Sequence, residues 1–135
     1  MYKFLEHTAD VKFIASGNSL EKAFSESAMA MRETMLKGKM KIKEKIKKKI
    51  SVSGKDNESL LYNFLEEFLF LLDSERFLLS KIKKIKITGN RLEADIVGDN
   101  AESYEVSNDV KAVTYNQMKI EKNKSKYTIQ VVLDV

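Results

Sequence analysis

Cysteine, proline and tryptophan are absent from the 135 residues, histidine occurs once, at His7, and there are five glycines. Without cysteine, the chain has no disulfides, thiolate metal sites or cysteine nucleophiles. With one histidine it has no multi-histidine metal site either. Any bound metal must be held largely by oxygen, which selects Ca²⁺, Mg²⁺ or Mn²⁺ over zinc or copper. The lack of proline and scarcity of glycine leave no linker-like stretch, and no internal repeat is visible, so one domain is expected over 1–135. No apolar run approaches the roughly 18 residues needed to span a bilayer, because the densest stretch, Phe64 to Leu72, is broken by Glu66 and Glu67. Glu6 and Asp10 interrupt any signal-peptide plan at the N-terminus. A cytoplasmic protein without membrane contact is the expectation.

What is abundant is charge. Charged residues make up 33% of the chain and hydrophobic residues 43%, with a net charge of +4. The basic side is uneven, since Lys37, Lys39, Lys41, Lys43, Lys45, Lys47, Lys48 and Lys49 fall close together. Such a stripe can neutralise phosphates, and it is equally the composition of a plain solvated surface.

Apolar spacing organises the rest. Tyr2-Lys3-Phe4-Leu5-Glu6 and Val11-Lys12-Phe13-Ile14-Ala15 alternate as short strands around a His7-Thr8-Ala9-Asp10 bend. Asn18-Ser19-Leu20-Glu21 opens a helix whose Leu20, Ala23, Phe24, Ser27, Ala28, Met31 and Met35 share one face, and Gly38 is placed to cap its end. The lysine run alternates with Met40, Ile42, Ile46 and Ile50, which predicts a twisted or edge strand whose lysines block aggregation. A second helix starts at Asp56 or Asn57 with an apolar face wide enough for a central position or for a partner protein. Segments 82–87 and 91–97 form a hairpin through Gly89-Asn90, and 113–120 and 127–133 form a closing hairpin. Two main helices and roughly seven strands predict an α+β two-layer sandwich, the helices packed on one face of a mixed β-sheet.

Alone, Asp10 in a short loop is an ordinary turn former. Two features point further: the polar Glu6-His7-Thr8-Ala9-Asp10 stretch lies between two strands, and the chain ends Leu133-Asp134-Val135. If the first and last strands are neighbours, Asp10, Asp134 and the Val135 carboxylate converge at one sheet edge. Like charges that close repel unless a cation lies between them, and such oxygens form a Ca²⁺ or Mg²⁺ shell. Lys111, in Val110-Lys111-Ala112-Val113-Thr114-Tyr115, is a surface residue, or a charge stabiliser or phosphate donor if it stands beside the carboxylates.

Those three segments, Glu6 to Val11, Val110 to Tyr115 and Leu133 to Val135, resemble the archease family in order and position. Asn18-Ser19-Leu20 and Leu60-Leu61-Tyr62-Asn63-Phe64-Leu65 extend the likeness over essentially the whole chain. The resemblance implies an accessory protein of the RtcB-type RNA ligase, which joins tRNA halves with GTP and a divalent metal. It would promote ligase guanylylation and multiple turnover without being an enzyme itself. It further implies metal ligation by Asp10, Asp134 and Val135, most simply of Ca²⁺ with Mg²⁺ or Mn²⁺ as alternatives, and a functional Lys111. Glu6 and His7 are assigned supporting or structural places around the ligands. tRNA would be met through the ligase complex. The sequence departs from the family pattern at Lys12, where glycine is frequent, and at Asn116, where histidine is frequent, so a proton transfer by that second histidine has no counterpart here. Two other readings stand beside this one: a lysine-rich RNA-binding or chaperone-like module with merely structural aspartates, and an independent metal-dependent hydrolase, for which no nucleophile and base pair is visible.

Overall fold

The computed structural model describes residues 1–5, 10–107 and 109–135. Its elements run β1 (Tyr2–Leu5), β2 (Val11–Gly17), α1 (Leu20–Thr34), β3 (Ile46–Ser53), α2 (Asn57–Glu75), β4 (Phe77–Thr88), β5 (Arg91–Asn100), β6 (Ala112–Asn123) and β7 (Lys126–Asp134), with a short 3₁₀ turn at Ala101–Ser103. This is the expected α+β composition. The expected single mixed sheet is replaced by two antiparallel sheets, ordered β1-β2-β7-β6 and β3-β5-β4. A helical crossover from β3 to β4 would permit a parallel pair, but the tight β4–β5 hairpin folds β5 between them and makes each pairing antiparallel.

Local chemistry explains the helix ends. Ser19 Oγ accepts from the Lys22 N–H and satisfies one donor at the start of α1. In α2, Asp56 accepts from the Ser59 N–H while the Ser59 hydroxyl receives the Asp56 N–H, a reciprocal box. Gly38 does not cap α1. The helix stops at Thr34, and the Met35 N–H closes on the Arg32 and Glu33 carbonyls. The cause lies in the next residues: Leu36 bridges to Val106 and the Lys37 N–H donates to the Glu105 carbonyl, which draws the chain out of the helix before Gly38.

The lysine run is a strand only in its second half. β3 is an edge strand, as the alternation predicts, whereas 37–45 runs outside regular structure with Ile42 buried as an anchor. Ser80 Oγ donates to the Ile42 carbonyl at 2.8 Å and holds that segment against β4.

Each helix touches both sheets. α1 packs on β2 and β7 and also on β4, while α2 packs on β6 and on β3 and β4. This accounts for the wide apolar face of α2: Leu60, Leu61, Phe64, Leu65, Phe68 and Leu72 are all buried, and Phe70 alone of its large apolar residues remains well exposed, at 57%. The Phe24 and Phe64 rings, 5.8 Å apart, join the helices at the centre, and Phe68 meets Phe64 edge-on at 5.0 Å. From the four-stranded sheet Phe13, Ala15, Ile129, Val131 and Leu133 close the core, so alternate residues of β7 supply its buried face.

Candidate functional site

The strand order brings together parts of the sequence that lie far apart. β2 pairs with β7 from Gly17↔Tyr127 down to Val11↔Leu133, so Asp10 and Asp134 flank the last pair of that ladder. It is the second strand, not the first, that neighbours the last one; β1 lies outside β2 at the sheet edge. On the other side of β7, Ala112 stands opposite Asp134, and the Lys111 N–H donates to the Asp134 carbonyl at 2.7 Å. The Asp10, Lys111 and C-terminal segments therefore meet at one end of the four-stranded sheet.

An open cleft of about 710 Å³ occupies that end. Its charged lining comprises Asp10, Lys12, Glu33, Asp109, Lys111 and Val135, and Phe4 and Leu5 give it an apolar wall. Asp10 and Val135 are half-buried and Lys111 is exposed. Asp134 is exposed at the strand end and is not part of the cleft lining; it joins the site through its backbone and its neighbours. Glu6 and His7 lie outside the described residues.

Three lining residues escaped the sequence reading. Glu33 and Thr34 come from the last turn of α1 and Asp109 from the segment before β6. Nothing in their local spacing marks them, because only the packing of α1 against β2 brings its C-terminal end to this point. Among the described residues that line the cleft, Asp10, Glu33 and Asp109 bring three carboxylates beside the two cations Lys12 and Lys111, and Glu33 also lies 3.7 Å from the Arg32 guanidinium. The acidic excess of the lining favours a bound cation. Burial, reinforced by the Glu33 carboxylate, also pushes the Tyr2 hydroxyl pKa above its ordinary value.

The donor chemistry suits a hard ion, since each candidate ligand offers oxygen. Among the described residues no three His, Cys, Asp or Glu side chains gather tightly enough to hold a metal unaided. A cation here would need the terminal carboxylate, backbone carbonyls or water to complete its shell.

A further residue supports Lys111. Glu66 Oε2, reaching from α2, accepts from the Val113 N–H at 2.8 Å and so anchors the start of β6. One departure from the family pattern, Lys12, reaches Gln117, the sequence neighbour of the other, Asn116. β6 carries a wide irregularity between Thr114 and Lys119, within which Gln117 has a left-handed φ of 56°. Lys12 Nζ donates to Gln117 Oε1 at 2.9 Å, across β7 and next to Asn116. The exposed Tyr115 of the same segment stacks on Tyr62 with ring centroids 4.5 Å apart.

Comparison with known proteins gives the family and the fold. The model of the archease protein family matches residues 2–135. The protein archease of Sulfolobus acidocaldarius is 37% identical over 137 residues, covering 99% of this chain and 98% of its own. That of Pyrococcus abyssi is 38% identical, again over 99% of this chain and 98% of its own. Among solved structures, the solution structure of a Methanobacterium thermoautotrophicum protein superposes with a TM-score of 0.81 at 33% identity, covering 99% of this chain and 98% of that one. A Thermotoga maritima archease, described as a possible chaperone, shares the fold with a TM-score of 0.68 at 24% identity, over 100% of this chain and 98% of its own. From its first strand to its last residue, the chain belongs to the archease family.

Proposed function

We propose that this protein is a non-catalytic, cytoplasmic activator of an RtcB-type RNA ligase in tRNA splicing, promoting ligase guanylylation and repeated turnover through a divalent-metal site. The observation that carries the reading is the meeting of Asp10, Lys111 and Val135 in one acid-biased cleft, with Asp134 alongside, in a chain of the archease family. These are the positions that the sequence resemblance singles out, drawn from the two ends of the chain.

Asp10, Asp134 and the Val135 carboxylate would hold the ion, with Ca²⁺ the first candidate and Mg²⁺ or Mn²⁺ the alternatives. Such an ion would supply positive charge for phosphate or carboxylate groups of the partner. The chain's own groups do the positioning. Lys111 offers a mobile point charge to a phosphate, and its backbone tie to Asp134 keeps that charge beside the acidic strand end. The tie from Glu66 to Val113 fixes the direction in which β6 enters. The partners are then the ligase directly and tRNA through the ligase complex.

The test is ligation by a matched ligase at limiting enzyme and excess RNA. Wild-type protein should convert a single-turnover reaction into a multiple-turnover one. Asp10→Ala and Asp134→Ala should fold and fail to do so. Full stimulation by both variants would remove the assigned site, and no stimulation by wild type would remove the ligase role.

A further inference from the structure

The lysines at the solvent face of the smaller sheet form an arrangement that the linear run does not disclose. In the β3-β5-β4 register, Lys47 stands opposite Val97, which stands opposite Lys81. One row further, Lys49, Asp95 and Lys84 are aligned, and beyond them Ser51, Glu93 and Lys86. Alternate residues of a strand share a face, so these rows lie on the outer face, where all but Val97 reach solvent, while Ile50, Ala94 and Leu92 point to the core. Lys83 protrudes from the irregularity in β4, and Arg91 ends the face at the hairpin.

Two lysine columns thus border a central strand. Between them lie two adjoining hollows of about 530 and 460 Å³ that share Lys49 and Asp95, and Val97 lies buried beneath the lysine stems of the first. Seven cations on this face oppose three carboxylates: Glu93, Asp95 and Glu44, the last held by Lys81 at 3.1 Å and Lys83 at 2.8 Å. The excess of four equals the net charge of the whole chain. The rest of the chain sums to zero, and the exposed Lys37, Lys39, Lys41, Lys43 and Lys45 lie in the adjoining segment outside the strands. Lys48 faces the other way, paired with Glu75 at 2.5 Å and lying over the Phe77 ring.

We propose that this trough docks the phosphodiester backbone of a nucleic acid, independently of the cleft at Asp10. Lysine is a point donor suited to phosphate without a fixed geometry, and columns along both edge strands match a linear polyanion. A protein partner would need aromatic or apolar anchors at its centre, and a membrane would need apolar groups to insert. The large exposed apolar residues among those described are Met1, Phe4, Phe70 and Tyr115, none of which is on these strands. The face is mostly lysine, a point donor suited to phosphate, so sequence-independent binding is expected.

The experiment is a fluorescence-anisotropy titration of the full chain with a labelled tRNA transcript and a short single-stranded RNA, at several KCl concentrations between roughly 50 and 200 mM. Wild type should bind both, with a steep salt dependence. The variant Lys47→Gln/Lys49→Gln/Lys84→Gln/Lys86→Gln should bind about tenfold or more weakly at low salt, with the log–log slope reduced by about 3. As a control, Lys119→Gln/Lys122→Gln/Lys124→Gln/Lys126→Gln removes as many exposed lysines from the β6–β7 hairpin and should change neither quantity much. Glu93→Gln/Asp95→Asn should tighten binding several-fold, a gain that unfolding cannot mimic. Asp10→Ala should leave RNA binding unchanged, which separates this proposal from the ligase reading. Absence of wild-type binding at low salt, equal losses in the two lysine variants, or binding confined to anionic vesicles would overturn it. If the trough variant aggregates while its soluble fraction keeps the wild-type salt slope, the lysines serve edge protection, and the proposal fails.

Discussion

Replacing Glu66 by alanine should loosen the cleft from behind without touching it. Glu66 Oε2 lies 2.8 Å from the backbone nitrogen of Val113, a residue only 2% exposed and two positions from Lys111. A hydrogen bond to a charged group contributes about 1.5–3 kcal/mol. Glu66 is half-buried, so water partly replaces the lost acceptor and the lower part of that range applies, about 1.5–2 kcal/mol. That corresponds to a roughly ten- to thirtyfold drop in the folded-to-unfolded ratio, or a melting point lower by roughly 3–8 °C for a chain of this size. Glu66→Gln keeps a carbonyl acceptor and should cost less, about 0.5–1 kcal/mol. Urea denaturation with an unchanged m-value measures the global loss. Amide exchange measures the local one, because the Val113 and Lys111 amides should lose protection beyond the global change when the start of β6 frays. If Glu66→Ala stays within about 0.5 kcal/mol of wild type and both amides keep their protection, the anchoring role is refuted.

Other perturbations test the scaffold around the two surfaces. A Cβ at Gly98 would lie 2.1 Å from the Leu78 carbonyl oxygen and 2.7 Å from Phe77 Cζ, so Gly98→Ala must displace β5 from β4; a loss of about 2–4 kcal/mol is expected in thermal or urea unfolding. Ser19→Ala removes the cap on α1 and should cost about 1 kcal/mol by the same measurement. Hydrogen bonds lower the carboxyl pKa of Asp56 (from the Ser59 N–H and hydroxyl), of Asp99 (from the Tyr104 hydroxyl and Asn100 N–H) and of Glu44 (from Lys83 and Lys81). Their contribution is complete above the ordinary carboxylate range near 4 and is lost as pH falls through the lowered values, so the urea midpoint should drop between pH 5 and pH 3, and Asp99→Asn should flatten that drop. Glu67 has the opposite sign: burial first, then Glu75, raises its pKa, so its charge opposes folding once pH passes its ordinary value of 4.5, and Glu67→Gln should raise the midpoint at pH 7 but not at pH 4.

The elements that periodicity revealed are those with a strong local signal. Ser19 and Asp56 mark their helix starts by side-chain chemistry, and Gly89-Asn90 marks its hairpin because a tight turn needs the left-handed conformation, here a φ of 60° at Gly89. Gly38 carried the same kind of signal and misled, since its φ of 88° serves a bend after the helix has already been ended by the Leu36–Val106 bridge. A bridge between positions seventy apart leaves no trace in a local window. The lysine alternation misled in the same way over 37–45, where Ile42 is held by Ser80 and not by a strand ladder. At this end of the sheet, the places of Asp10, Lys111 and Val135 in the cleft and of Asp134 beside it were suggested by a family resemblance, whereas Glu33, Asp109 and the supporting Glu66 were not, because each depends on how a helix or a loop meets the sheet.

The charge layout links the cleft to the trough. A chain with a surplus of lysine could spread it evenly, and an acid-biased cleft would then be screened by cations around it. Here a lysine excess lies on the three-stranded sheet, while among the cleft-lining residues at the end of the four-stranded sheet carboxylates outnumber lysines, and no residue lines both surfaces. Opposite local charge lets each surface select a different partner from a common solution, a cation with its carboxylate or phosphate ligands at one and a polyanion at the other. Screening at physiological ionic strength limits unpaired surface charges to a reach of about 8 Å, so each surface responds to its own residues. Lys12 is one of two lysines lining the acidic cleft, with Lys111, and its ammonium is directed to Gln117 on the β6 irregularity. If that hydrogen bond restrains the ammonium, Gln117→Ala frees it to reach further into the cleft, and cation affinity there should fall while RNA binding at the trough does not. Isothermal titration with Ca²⁺ alongside the anisotropy assay reads both at once, and a parallel change in the two affinities would show that the surfaces are not electrically separate.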